Sequence, residues 1–164
     1  MTDINTPMNP DKDCLDLNAF KKAVSKCAHE HGWWDVKDPY QSSKVNGGPV
    51  RNMGEMIALM HSELSEALEA WREHDNITEI RYEYPNGDNG EVICLYAPHF
   101  LRDDGEGNSI TELGKPVGVA SEFADVIIRI LDTCDTLNIP ITEALIQKHR
   151  YNLSRPYRHG GKLA

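Results

Sequence analysis

Two acidic tetrapeptides, Glu63-Leu-Ser-Glu66 and Glu122-Phe-Ala-Asp125, lie within long stretches of helical apolar periodicity. A spacing of three sets both carboxylates of a pair on one helix face, with Cβ atoms about 5–6 Å apart. If the two helices pack side by side, four carboxylates converge. Like charges gathered in a low-dielectric site take up protons or repel one another, and a divalent cation relieves that repulsion. Neither tetrapeptide contains Cys or His, and all-oxygen ligation suits a hard ion, Mg2+ or Mn2+, of the kind that keeps some waters and binds substrate phosphates. Such an ion can polarise a phosphoryl oxygen, help generate a hydroxide and orient the substrate.

A second chemical feature lies at the far end of the chain. After Gln147 there is no acidic side chain, whereas Lys148, Arg150, Arg155, Arg158 and Lys162 are basic and His149 and His159 join them. In a chain with 17 basic and 26 acidic residues and net charge −9, this asymmetry marks a local phosphate-holding segment. The overall negative charge argues against general attraction to nucleic acid backbone or anionic membrane. Planar Arg donors suit phosphate oxygens that a metal leaves unneutralised.

The elements that must position these groups can be read from periodicity. Asp16 caps a first helix whose apolar residues Leu17, Phe20, Val24, Cys27 and Ala28 follow a 3.6-residue period to about Gly32, with Trp33 and Trp34 directly after it. Residues 38–49 are turn-rich and form a loop. From about Arg51 to Glu73, Met53, Ile57, Met60, Leu64, Leu68 and Trp71 recur at steps of three and four and define a core stripe, with Glu63 and Glu66 on its flank. Residues 78–96 switch to alternation around Ile80, Tyr82 and Tyr84, then the turn 85–90 and the run 92–96, which predicts a β-hairpin. Residues 103–118 are rich in Gly and form a second loop. A helix from about Val119 to Leu137 carries Phe123, Val126, Ile127, Ile130, Leu131 and Cys134 on its inner face, and Pro140 opens a last helix to about Asn152. The expected fold is all-α: a bundle of about four main helices with an inserted β-hairpin. A polar arm spans 1–15, and one domain spans 16–164 with 78–118 as its insertion.

At 164 residues the chain can bury a real core as a single domain. Cys14, Cys27, Cys94 and Cys134 have neither C-x-x-C spacing nor a short disulfide framework, and nothing near Met1 has the form of a signal peptide. A reduced, cytoplasmic setting is expected. The longest apolar stretches fall far short of the roughly 20 residues that span a bilayer.

The segments 61–72 (His-Ser-Glu-Leu-Ser-Glu-Ala-Leu-Glu-Ala-Trp-Arg) and 121–132 (Ser-Glu-Phe-Ala-Asp-Val-Ile-Ile-Arg-Ile-Leu-Asp), in that order, resemble the MazG-like all-α nucleoside triphosphate pyrophosphohydrolases. The motif of that family is a Glu-Glu-x-x-Glu helix followed by a Glu-x-x-Asp helix. The tail 148–162 is similar to the ending of many MazG-like proteins, phage and bacterial ones in particular. The resemblance implies Glu63, Glu66, Glu122 and Asp125 as Mg2+ (or Mn2+) ligands and catalytic residues. It implies Lys148, Asn152, Arg155, Tyr157 and Arg158 as phosphate contacts, and assembly as a homodimer or homotetramer. The implied reaction is attack of water at the α-phosphorus of a nucleoside triphosphate, a dNTP by preference, releasing the monophosphate and pyrophosphate with Glu63 or Glu66 as proton acceptor. Two features depart from the motif: Ser62 stands where its first Glu would be, and the gap between the signatures is longer than in compact members.

Other residues admit two readings. Trp33 or Trp34 could stack a nucleobase, as aromatic faces do for about 1–3 kcal/mol per base, or pack in a core or interface. Asn52 could hydrogen-bond a base or sugar edge or simply cap a helix. Glu69, Glu73 and Asp132 read as solvent-face charges. A di-iron carboxylate bundle would need Glu-x-x-His pairs, which neither signature contains. The remaining rival to an enzyme is a non-catalytic, metal-stabilised helical oligomer that binds a partner.

Overall fold

Asp16 starts the first helix. Its Oδ1 accepts the backbone N–H of Asn18 at 2.9 Å and of Ala19 at 3.1 Å, satisfying two of the donors that a helix N-terminus leaves open. Helix α1 (Leu17–Glu30) then runs to a left-handed Gly32, φ +72°. There the Trp33 N–H bonds the Ala28 carbonyl at 3.0 Å and the Gly32 N–H bonds that of His29 at 3.1 Å. This paired closure is a Schellman end, and glycine takes the left-handed position without a Cβ penalty.

The computed structural model of the chain describes residues 8–9, 14–35, 42–45, 48–73, 76–85, 92–103, 107 and 109–156. Among these, α2 (Met53–Glu73), α3 (Val119–Thr136) and α4 (Ile141–Leu153) complete a mainly helical chain. Helix α3 ends as α1 does. Asn138 sits at φ 56°, the Ile139 N–H bonds the Cys134 carbonyl at 2.8 Å, and the Asn138 N–H bonds that of Asp135 at 3.2 Å. No described helix is long and apolar enough to cross a membrane.

Short antiparallel pairings join the helices. Strands β1 (Met8–Asn9) and β2 (Cys14–Leu15) pair, as do β3 (Ser42–Val45) and β4 (Gly48–Arg51). The alternating segment after α2 forms β5 (Arg81–Pro85), and it pairs with β6 (Val92–Leu95) in the register Tyr82↔Leu95 and Tyr84↔Ile93. Strands β7 (His99–Asp103) and β8 (Ser109–Leu113) form a further pair, and β9 (Lys115–Val117) adds to β5, giving a sheet of order β6-β5-β9. The glycine-rich stretch expected to be loop therefore holds two strands. Pro116 is tolerated because β9 is an edge strand, where a missing N–H breaks no inner ladder.

Two compact units result, one from residues up to Asn52 and from Ile128 onward, the other from Met53–Ile127. In the first, Ser25, Leu131, Thr133 and Cys134 are buried. Lys21 Nζ meets Asp135 Oδ1 at 3.1 Å, and Thr142 Oγ1 donates to Asn18 Oδ1 at 2.8 Å, tying α3 and α4 to α1. In the second, Met56, Ala67 and Tyr84 are buried, and the Tyr84 hydroxyl donates to the Ala97 carbonyl. A Cβ on Gly114 would fall 2.6 Å from Tyr84 Cζ and 2.8 Å from Tyr82 Cβ, so only glycine admits this packing.

The stripe on α2 expected to be its core face is not the buried one. Ile57, Leu64, Leu68 and Trp71 are exposed, and the buried line is Met56, Glu63 and Ala67, about a quarter turn away. Periodicity marks an apolar face, but small side chains such as Ala67 admit the closest neighbours. On α3, Leu131 and Cys134 are buried as expected, whereas Phe123 and Ile127 are exposed.

Candidate metal centre

Glu63 occupies the middle of the buried line of α2, two turns after Met56, and is only 6 % exposed. A carboxylate there is costly unless something compensates its charge. The other acidic residues are delivered by the start of α3. Gly118 turns at φ +105°, and its carbonyl accepts the N–H groups of Ser121 at 2.9 Å and Glu122 at 3.1 Å. Buried Ser121 donates its hydroxyl to the Pro116 carbonyl at 3.0 Å, fastening the first turn of α3 to β9. Glu122 and Asp125, three residues apart, then share a face of α3.

One ligand oxygen from each of Glu63, Glu122 and Asp125 lies within 4.8 Å of the others. The group could hold a metal ion. Its chemistry fits a cation: burial pushes the Glu122 carboxyl above its ordinary value, repulsion from Glu66, Asp125 and Glu63 adds to that shift, and Lys115 opposes it. The donors are carboxylate oxygens alone, the set preferred by hard divalent ions.

Glu66 stands outside the trio. Its Oε1 accepts the Ser62 hydroxyl at 3.5 Å, and its charge acts on Glu122. Ser62, the departure from the motif, thus supplies a donor to the second carboxylate of its own helix. His61 is exposed and is not one of the gathered residues, and Glu69 and Glu73 are exposed on α2.

The tandem tryptophans belong to the other unit. Trp34 Nε1–H donates to both Asp132 oxygens at 3.0 Å, and its ring stacks on His29, with centroids 5.7 Å apart and planes at 20°. His29 Nε2 pairs with Thr136 Oγ1 at 3.1 Å, Thr136 Oγ1 can donate to Asp132 Oδ1 at 3.4 Å, and Ser25 Oγ lies 3.2 Å from Thr136 Oγ1. Asp132 is therefore not a solvent-face charge. Burial raises its carboxyl above the ordinary range, against the lowering effects of the Trp34 bond, His29, Thr136 and Arg51. Sequence reasoning missed this network because its partners are 98 residues apart; the only local signal was an Asp on the inner half of an amphipathic helix.

Trp33 is exposed. Its carbonyl accepts Arg51 Nη1–H at 3.2 Å, and the Arg129 guanidinium carbon lies 5.6 Å from its ring centroid. Asn52 is exposed between β4 and α2. On α4 and just beyond, Lys148, Asn152 and Arg155 are exposed. Lys148 Nζ and the Arg155 guanidinium carbon lie 5.5 and 5.8 Å from the Tyr151 ring centroid. Tyr157 and Arg158 fall outside the described residues.

No family model matches the chain, and no curated protein or solved structure does either.

Proposed function

We propose that the chain is a Mg2+- or Mn2+-dependent pyrophosphohydrolase of the MazG-like kind, converting nucleoside triphosphates, dNTPs by preference, to the monophosphate and pyrophosphate. The observation that carries this reading is the meeting of Glu63, Glu122 and Asp125, with Glu63 nearly buried. Those three residues would hold the ion. Bound there, it would offset the clustered charge and polarise a phosphoryl oxygen.

The protein's own groups divide the remaining work. Glu63 or Glu66 would accept a proton from the attacking water, and Glu66, outside the trio and within reach of the Ser62 hydroxyl, is the freer of the two to do so. By the family resemblance, Lys148, Asn152, Arg155, Tyr157 and Arg158 would supply donors for phosphate oxygens. Trp33 would be the one to stack a base, in exchange for the Arg129 guanidinium now near its ring, whereas the Trp34 indole N–H is already engaged by Asp132. In this reading the chain works as a homodimer or homotetramer on a small nucleotide, with neither nucleic acid polymer nor membrane as its partner.

The test is incubation of the purified chain and MgCl2 or MnCl2 with a panel of ribo- and deoxynucleoside triphosphates, separating pyrophosphate from orthophosphate. Pyrophosphate release that disappears in Glu122→Gln while helix content is unchanged supports the reading. Orthophosphate alone would place attack at the γ position and overturn it; ion binding without any product would favour the non-catalytic oligomer.

A further inference from the structure

Phosphate groups approaching the carboxylate trio meet a site of their own sign. Glu63, Glu122 and Asp125, with the charge of Glu66 added, outweigh a single divalent ion when ionised, so a polyphosphate drawn to that ion is also repelled by the residues that hold it. A fixed cation beside the trio removes this conflict. Basic side chains are concentrated in the tail, but Met53–Ile127, the unit that contains the trio, has a cation of its own whose charge reaches Glu122.

That cation is Lys115, the first residue of β9. Two bonds fix its strand to the start of α3. The carbonyl of the next residue, Pro116, accepts the Ser121 hydroxyl at 3.0 Å, and the Gly118 carbonyl accepts the Glu122 N–H at 3.1 Å, so β9 and the first turn of α3 form one joined corner. The Lys115 charge acts on the Glu122 carboxyl across that corner. On the sheet, Lys115 stands opposite Glu83 of β5, the arrangement in which opposite charges pair across strands. No such pair forms: among the described residues Lys115 makes no ion pair, and it is exposed. A cation that passes over its cross-strand acid, stays open to solvent and stands in the field of the carboxylates is available to an incoming anion.

We infer that Lys115 is a phosphate-binding residue of the candidate metal centre, its ammonium pairing with an oxygen of the di- or triphosphate chain that the ion holds. The inference rests on the proposed metal reading and adds to it the side chain that offsets repulsion between substrate and site. It also gives the inserted strands a part in binding. Removing a positive charge beside a cation site leaves the ion bound as tightly or more so, whereas removing a phosphate contact weakens the anion. Were Lys115 only to screen the carboxylates, its loss would act on the ion and leave the anion alone.

The full chain is compared with Lys115→Met, Lys115→Gln and Lys115→Arg, and with Lys26→Met, which removes the same charge from the exposed Lys26–Glu30 pair on α1. Mn2+ binding is followed by the electron paramagnetic resonance of the free ion, and binding of inorganic pyrophosphate in MnCl2 by calorimetry; neither needs turnover. Lys115→Met is expected to bind Mn2+ as tightly as the unsubstituted chain or more so, and pyrophosphate about ten-fold more weakly, the loss of one charge-assisted hydrogen bond. Lys115→Arg should keep most of the pyrophosphate affinity, and Lys26→Met should match the unsubstituted chain in both measurements. Pyrophosphate affinity that is unchanged in Lys115→Met overturns the inference. So does a parallel weakening of ion and pyrophosphate, which would mark a structural role, and so does a chain that binds Mn2+ but no pyrophosphate. A chain that binds no Mn2+ at all removes the metal reading itself, and the inference with it. If Lys115→Met fails to fold, Lys115→Gln decides.

Discussion

Glu122→Gln should invert the stability order of two proteins according to whether an ion is present. At the 4.8 Å limit of the trio and an effective dielectric of about 20, each pair of unit charges repels by about 3 kcal/mol. Glu122 takes part in two of the three pairs. Proton uptake, side-chain rotation and solvent screening absorb most of that repulsion, leaving a net gain of about 1–2 kcal/mol for Gln in chelator. At about 2–4 °C per kcal/mol for a chain of this length, the variant melts roughly 2–8 °C higher. With a cation at about 100 times its Kd, the wild type gains about 2.7 kcal/mol, or roughly 5–10 °C. The variant lacks one of the three proposed ligands and should lose most of that gain. The pH sign follows from the raised Glu122 carboxyl. A group whose folded value lies above its unfolded one stabilises below the unfolded value and loses that contribution as pH rises through the folded one. The advantage of Gln in chelator should therefore grow from pH 4 upward. Thermal melts of both proteins in EDTA and in MgCl2 or MnCl2 provide the measurement. A variant that melts below the wild type in chelator, or an equal ion-dependent gain in both, refutes the reasoning.

Three further positions give outcomes that can be checked. Asp132→Ala leaves the Trp34 indole N–H without its acceptor and should cost about 1–3 kcal/mol, with loss of near-ultraviolet circular dichroism from the tryptophan. Asp132→Asn keeps one acceptor; because burial raises the native carboxyl, the wild type should lose ground to Asn as pH rises through the carboxylate range, and a stability difference that stays flat between pH 4 and 7 would count against the assignment. Gly114→Ala forces a methyl against Tyr84 and Tyr82 and should lower stability by about 1–3 kcal/mol in denaturant titration; a neutral result would mean that the Tyr84 ring can step aside. Asn138→Gly should be neutral to slightly stabilising, whereas Asn138→Ala should cost about 1 kcal/mol, since φ is 56° there.

Helix ends were the most legible part of the chain because local residues decide them: Asp16 supplies a capping oxygen, and Gly32 can turn left-handed. The segment after Tyr96 was harder. Gly114 and Pro116 suggested a loop, yet glycine is needed there for the Tyr84 ring, and proline sits on a sheet edge. Neither reason is visible locally. On α2 the same step of three and four identifies an apolar face without revealing what covers it, and most of that face is exposed. Burial of Glu63 escaped hydropathy altogether, because the groups it meets, the Glu122 and Asp125 carboxylates, lie on α3. Asp132 resembled any charged residue of an amphipathic helix until Trp34 was placed beside it. Charge spacing located the acidic groups of the candidate centre, and only tertiary structure separated the gathered trio from Glu66.

The fastening of Ser121 to Pro116 makes the inserted sheet a jig for the acidic end of α3. Strand β9 is held by β5, β5 carries the Tyr84 ring under Gly114, and the Gly118 carbonyl receives the N–H of Glu122 itself. Drift in β9 would therefore be transmitted to the position of the Glu122 carboxylate. Damage remote from any acidic residue would then part Glu122 from Glu63 and Asp125.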